Sequence, residues 1–107
     1  MARFHLLQQT PGNTPSRVRL DGIVLIGRES DCRVILQDDL VSLHHAQVTL
    51  VGSRPFLKDL GSTNGTTMSG VRVRETALRN GQTFIVGRST FTLVEEERTV
   101  TLQAGRN

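Results

Sequence analysis

Turn signals interrupt this chain so often that no long helix fits between them. Pro11-Gly12, Asp21-Gly22, Gly52-Ser53, Asn64-Gly65, Ser69-Gly70, Asn80-Gly81 and Gly87-Arg88 all fall within 107 residues. Dipeptides ending in Gly tolerate the positive φ that tight reversals need. No segment between them holds apolar residues at i, i+3, i+4 and i+7 for three turns, the repeat an amphipathic helix requires. The runs that remain are short and β-prone: 3–9, Val18–Leu20, Ile23–Ile26, Cys32–Leu36, His45–Val51, Phe56–Leu60, Thr67-Met68, Val71–Val73, Gln82–Val86 and Thr90–Glu95. In His45–Val51, Ala46, Val48 and Leu50 alternate with Gln47 and Thr49, the period of a half-buried strand. Phe91 and Leu93 share one face of the last run. Asp21-Gly22 is expected to close a two-residue hairpin between Val18–Leu20 and Ile23–Ile26. The expected fold class is all-β, an antiparallel β-sandwich with no substantial helix.

One core fits a chain of this length. With no Trp or Tyr and only four Phe, that core must be mostly Val, Leu and Ile. The net charge of +3 is carried by twelve Arg and one Lys, Lys58. Arg suits bidentate contact with carboxylate or phosphate. The charge is small and dispersed, with neither a basic run nor interleaved aromatics, so nucleic acid is not an expected partner. Cys32 is the only cysteine, so no intrachain disulfide forms, which fits a reducing compartment. No apolar run approaches the roughly 20 residues that cross a bilayer, and Met-Ala-Arg-Phe-His carries no secretory signal core. A soluble, cytoplasmic domain without membrane contact is expected over residues 1–95. Residues 96–107 are expected to form an edge strand or a tail or linker.

Three polar loops stand out: one after Ile26, one before His45 and one after Leu60. The last, Asp59 to Thr66, packs Ser62, Thr63 and Asn64 beside Gly65. An even number of strand passages is expected to separate the three, which places them at one apex of the sandwich. That apex would hold Arg28, Ser42, Thr63 and Asn64. An Arg fork, two hydroxyls and an amide without a carboxylate make an anion site.

Gly27-Arg28, then Ser42-Leu43-His44-His45, then Gly61-Ser62-Thr63-Asn64-Gly65-Thr66 resemble the signature of the forkhead-associated (FHA) domain family. Met68-Ser69-Gly70-Val71, the spacing of Leu78, Gly81, Ile85 and Gly87, and Phe91-x-Leu93 resemble its later turn and closing hairpin. The resemblance covers roughly residues 4–95. It implies a sandwich of about eleven short strands and a non-catalytic module that binds phosphothreonine peptides in signalling. By the same resemblance, Arg28 pairs with the phosphate, Ser42 gives it a hydroxyl bond, and Thr63 lies near the phosphate and the threonine methyl. Asn64 holds the peptide backbone. His45 buttresses the loops, and Gly27, Gly61 and Gly65 permit their backbone course. The implied partner is a phosphothreonine-containing protein, the substrate of a Ser/Thr kinase, and the domain itself is expected as a monomer or weak dimer with no cofactor.

Leu43 departs from the pattern, because the family commonly has Arg, Lys or Asn directly after the serine. Leu43 offers the phosphate only its backbone N–H, although it can pack against an apolar peptide residue. It also motivates the alternative function, a phosphate-independent scaffold or self-association module using a sandwich face or edge. Other readings of the same residues are bland or weaker. Arg28 can pair with Asp31 or Glu29, and Ser42 can bond its own loop. Arg72, Arg74 and Arg88 read as solvated, with Arg72 and Arg74 near the groove. His44, His45, Cys32 and His5 lack zinc-ligand spacing, so no metal is expected. Ser42, His45 and Asp59 lack a nucleophile elbow, so no catalytic residue is expected.

Overall fold

The computed structural model describes residues 3–96. Eleven strands run in chain order: β1 (Arg3–Gln9), β2 (Ser16–Arg19), β3 (Val24–Gly27), β4 (Val34–Ile35), β5 (Ala46–Val51), β6 (Arg54–Asp59), β7 (Thr66–Met68), β8 (Val71–Val73), β9 (Glu75–Ala77), β10 (Thr83–Val86) and β11 (Ser89–Glu96). They form a six-stranded sheet in the order β2-β1-β11-β10-β7-β8 and a five-stranded sheet in the order β4-β3-β5-β6-β9. The described residues contain no helix. The expected all-β sandwich is therefore the observed one.

Period-two patterning closes the sandwich. Along β11, Ser89, Phe91 and Leu93 are buried while the residues between them are half-exposed. Phe91 stacks on Phe84 of β10 with ring centroids 5.1 Å apart. Leu6, Phe84, Val86, Phe91 and Leu93 from one sheet meet Val24, Ile26, Ala46, Val48 and Leu57 from the other. Each large aliphatic or aromatic side chain buried in this way contributes about 1.5–3 kcal/mol. That is how a core without Trp or Tyr suffices.

Three expectations are corrected. Asp21-Gly22 does not close a hairpin. β2 pairs with β1 in the six-stranded sheet, while β3 pairs with β4 and β5 in the other, so the dipeptide carries the chain between sheets. Its turn chemistry is satisfied either way, and burial of Val24 and Ile26 against the core decides the destination. Second, the sandwich is not wholly antiparallel, since β4 runs parallel to β3. Third, one strand, β4, and not an even number, separates the first two polar loops. β9 lies in a stretch with no apolar alternation and forms by pairing with β6. The Thr66-to-Val73 hairpin does form as expected, around Ser69 and Gly70 at positive φ.

The parallel pair also explains the apex. A single strand, β4, separates the first two polar loops, so alternation of direction alone would send them to opposite ends. Because β4 repeats the direction of β3, the loops after β3 and after β4 open at the same end. β5 starts there, opposite the end of β3 (Ile26 faces Ala46). β6 ends there, with Asp59 facing Ala46, and the β10–β11 turn lies there too, with Val86 facing Thr66. Of the tail expected at 96–107, Glu96 closes β11, and the remainder lies outside the described residues.

Candidate functional site

Arg28 leaves the end of β3 with its backbone and side chain both tied to the loop before β5. Its N–H donates to the Ser42 carbonyl at 3.2 Å, and its Nε donates to the Val41 carbonyl at 2.6 Å. That second bond uses the inner edge of the guanidinium and leaves the terminal nitrogens at the surface. Among the described residues no carboxylate lies within ion-pair distance of Arg28. Asp31 pairs instead with His44 at 2.9 Å. Gly27 lets this happen, because a Cβ there would collide with the Leu43 carbonyl and the Cys32 sulfur.

Ser42 lies between the two other blocks. Its Oγ accepts the Thr63 N–H at 3.1 Å, so the hydroxyl hydrogen remains to be donated. Its backbone N–H donates to His45 Nδ1 at 3.1 Å. With Nδ1 accepting, Nε2 carries the proton and donates to the Gly65 carbonyl at 2.9 Å. His45 is wholly buried and so joins the Ser42 loop to the Thr63 loop from beneath. His45 thus meets the backbone of Ser42 and not its hydroxyl. His45 points inward, His44 outward to Asp31, and His5 bonds Glu96 at 3.1 Å.

The loop from Asp59 to Thr66 is organised by one carboxylate. Asp59 accepts from Gly61 N–H, Ser62 N–H, Ser62 Oγ and Thr66 Oγ1, at 2.6–3.1 Å. Ser62 Oγ in turn accepts the Gly65 N–H at 2.9 Å. Burial pushes the Asp59 carboxyl up, but the hydrogen bonds from Ser62 and Thr66 outweigh it and hold the group below its ordinary value. Thr63 and Asn64 stand exposed at the tip. Asn64 Nδ2 donates to the Leu40 carbonyl at 2.9 Å, which leaves its Oδ1 free of protein partners among the described residues.

Two further residues shape the apex: Arg72, expected near the groove, and Asp38, which the sequence does not single out. Arg72, on β8, lies over Gly65 and donates from its terminal nitrogen to the Ser62 and Thr63 carbonyls at 3.3 and 3.4 Å. A Cβ at Gly65, whose φ is +86°, would strike that guanidinium. Asp38 latches the Ser42 loop to the β10–β11 turn. It accepts from Leu40 N–H, Arg88 N–H and the Arg88 guanidinium at 2.6–2.9 Å. Those bonds, the Leu40 amide first, keep its carboxyl below the ordinary value despite some burial. Arg72 acts on the loop that leads into its partner strand β7, whereas nothing local in the sequence marks Asp38, which acts across the two sheets.

A surface depression of about 520 Å3 lies elsewhere, lined by Met68, Ser69, Gly70, Gln82, Thr83 and Ile85 among others. It offers no charged side chain to an anion. The apex instead presents a set of donors: the exposed Arg28 fork and Thr63 side chain, with the half-buried Ser42 hydroxyl between them.

The family model described as FHA domain matches residues 24–87, a span that runs from β3 to the end of β10 and contains all three apex loops. The chain belongs to the FHA domain family. The FHA domain-containing protein FhaB of Mycobacterium tuberculosis is 46% identical over 56 residues, covering 52% of this chain and 36% of FhaB. The glycogen accumulation regulator GarA of the same species is 35% identical over 77 residues, covering 71% of this chain and 48% of GarA. The chain thus spans less than half the length of each of these curated relatives. A solved FHA domain, described for its phosphothreonine-dependent interactions, superposes with a TM-score of 0.77 at 29% identity, over 90% of this chain and 99% of that one. The FhaA FHA domain, solved in complex with the intracellular domain of Rv3910, superposes with a TM-score of 0.72 at 31% identity, over 84% and 98%.

Proposed function

We propose that this FHA domain is a non-catalytic reader of phosphothreonine peptides that makes a protein–protein interaction depend on phosphorylation. The observation that carries the reading is Arg28, an exposed guanidinium held by Val41 and Ser42 with no carboxylate partner among the described residues. Phosphorylation by a Ser/Thr kinase adds close to two negative charges and three acceptor oxygens to a partner. In the proposed complex Arg28 takes two of those oxygens, and the Ser42 hydroxyl and the Leu43 backbone N–H serve the third. Thr63 packs beside the phosphate and the threonine methyl, which favours phosphothreonine over phosphoserine. Asn64 receives the peptide backbone through its free Oδ1.

Beside Asn64, the exposed Leu40 and Ile85 line a depression of about 290 Å3 with Thr67 and Gly87. An aliphatic peptide side chain fits there better than a charged one. Gly27, His45, Gly61 and Gly65 act as supports and touch no ligand. The recognition unit is residues 1–95. It works as a monomer or weak dimer in the cytoplasm, where kinase substrates are reached, and needs no nucleic acid or membrane. The phosphate-independent scaffold is disfavoured, because it leaves the anchored, unpaired Arg28 without a purpose.

The test is an array of matched peptides bearing phosphothreonine, phosphoserine or unmodified threonine, with the flanking positions randomised. Retention of phosphothreonine peptides over both others is expected. Equal retention of unmodified peptides would favour the scaffold.

A further inference from the structure

We propose that Asp31, Cys32 and His44 form a binding site for a zinc-class divalent cation on the flank of the apex. One carboxylate oxygen, the thiol sulfur and one imidazole nitrogen of these residues lie within 4.8 Å of one another. Carboxylate, thiolate and imidazole are the three ligand types that zinc takes from proteins, and three protein ligands leave a fourth position for water. His44 and Cys32 belong to the set of His44, His45, Cys32 and His5 that lacks zinc-ligand spacing in the sequence, but the fold turns His45 and His5 away from them. The carboxylate that replaces His45 comes from the neighbouring loop.

The site is built from two elements that the backbone already clamps together. Asp31 and Cys32 lie in the turn after β3, closed by the Cys32 N–H donating to the Glu29 carbonyl at 3.1 Å. His44 belongs to the Ser42 loop, which the turn grips through Glu29 N–H to the Leu43 carbonyl at 3.2 Å. His44 Nε2 faces both Asp31 oxygens at 2.9 and 3.1 Å. Ligand atoms on a tetrahedral zinc lie roughly 3.3–3.8 Å apart, given bond lengths of about 2.0–2.3 Å. To admit the ion, the exposed His44 and Asp31 side chains need to part by a few tenths of an ångström and close on the Cys32 sulfur by up to about an ångström. Cys32 is buried, but its sulfur reaches the same point and at present contacts the Leu43 carbonyl at 3.5 Å. Glu29, whose carbonyl accepts the Cys32 N–H, brings a second carboxylate to the same turn. On binding, Cys32 releases its thiol proton to solvent and the thiolate bonds the metal. The ion would tie the loop of Arg28 to the loop of Ser42 without touching either residue.

The proposal is independent of the phosphopeptide reading, and its test reads metal alone. Untagged protein with the full chain is titrated with cobalt(II), whose bond to a thiolate gives a near-ultraviolet charge-transfer band and whose tetrahedral sites absorb strongly in the visible. Wild type is expected to show both bands at one equivalent, and zinc is expected to displace them. Cys32→Ser should abolish the charge-transfer band. His44→Gln, an exposed change that leaves the core untouched, should weaken cobalt binding by at least about tenfold, the loss that even an outer ligand partner produces. Asp31→Asn should weaken it likewise. Absence of a charge-transfer band in folded wild type overturns the proposal. So does a band that His44→Gln and Asp31→Asn leave at full affinity, since that would mean the thiol binds metal without its two neighbours.

Discussion

Arg28 Nε donates to the Val41 carbonyl at 2.6 Å, and that bond decides which nitrogens of the guanidinium can meet an anion. The inner edge is spent on the protein, and the terminal pair is aimed outward. A lysine has one ammonium for both tasks. Arg28→Lys is therefore expected to keep the charge and still lose about tenfold or more in phosphopeptide affinity, the equivalent of one charge-assisted bond of about 1.5–3 kcal/mol. Calorimetric titration of one phosphothreonine peptide against both proteins measures this. Full affinity in Arg28→Lys would mean that bidentate geometry is not used.

Asp38 and Arg88 form an ion pair at 2.6 Å, but the two ends are unequal. The Asp38 side chain is 10% exposed and that of Arg88 61%, and Asp38 also accepts two backbone N–H groups. Asp38→Ala should destabilise the fold by about 1–3 kcal/mol, because it orphans those donors. Arg88→Ala should cost at most about 1 kcal/mol, as for an exposed pair. Urea denaturation of the two variants gives the comparison, and equal losses would show that the charge pair, not the backbone latch, holds the loop.

Gly65 and Arg72 are coupled by contact. Gly65→Ala is expected to cost about 1–2 kcal/mol from the positive φ alone, plus the collision with the guanidinium. In an Arg72→Ala background only the first part should remain. A double-mutant cycle by thermal or urea unfolding should therefore show non-additivity of about 0.5 kcal/mol or more. Strict additivity would place Arg72 elsewhere in solution.

Asp38 and Asp59 both have carboxyls held below their ordinary values, so the folded state prefers them ionised. Their contribution to stability is fully present above the unfolded carboxylate pKa of about 4 and is lost as pH falls through the lower folded values. Thermal melts from neutral pH downward should show a steep loss in that acid range. Asp59→Asn should be less stable at neutral pH and should lose less stability on acidification. A parallel pH profile in the variant would mean that Asp59 does not titrate with folding.

Much of this domain was legible in its residues, for reasons that differ from place to place. The alternation of Phe91 and Leu93 with Thr90 and Thr92 announces a half-buried strand, and Ser69-Gly70 announces a tight hairpin, because both effects are local. The apex loops were legible as an over-furnished set of donors, with Gly27, Ser42 and Asn64 in order. What escaped depended on distant partners. Asp21-Gly22 has hairpin chemistry, but the next strand finds its burial in the other sheet. Glu75, Thr76 and Ala77 form β9 only because β6 presents a free edge. β4 is too short to show its direction, yet that direction brings the Arg28 and Ser42 loops to one end. Arg72 reads as a solvated residue near the groove, and its contact with Gly65 arises only when β8 folds beside the loop.

The most direct measurement is a titration of a phosphothreonine peptide, and of its unphosphorylated twin, against wild type and Arg28→Ala, with the fold of each checked by unfolding. Arg28→Ala removes two charge-assisted bonds of about 1.5–3 kcal/mol each, so a loss of about a hundredfold or more is expected. The unphosphorylated twin should bind neither protein measurably. Equal affinity of wild type and Arg28→Ala for the phosphorylated peptide would contradict recognition of phosphate at this apex.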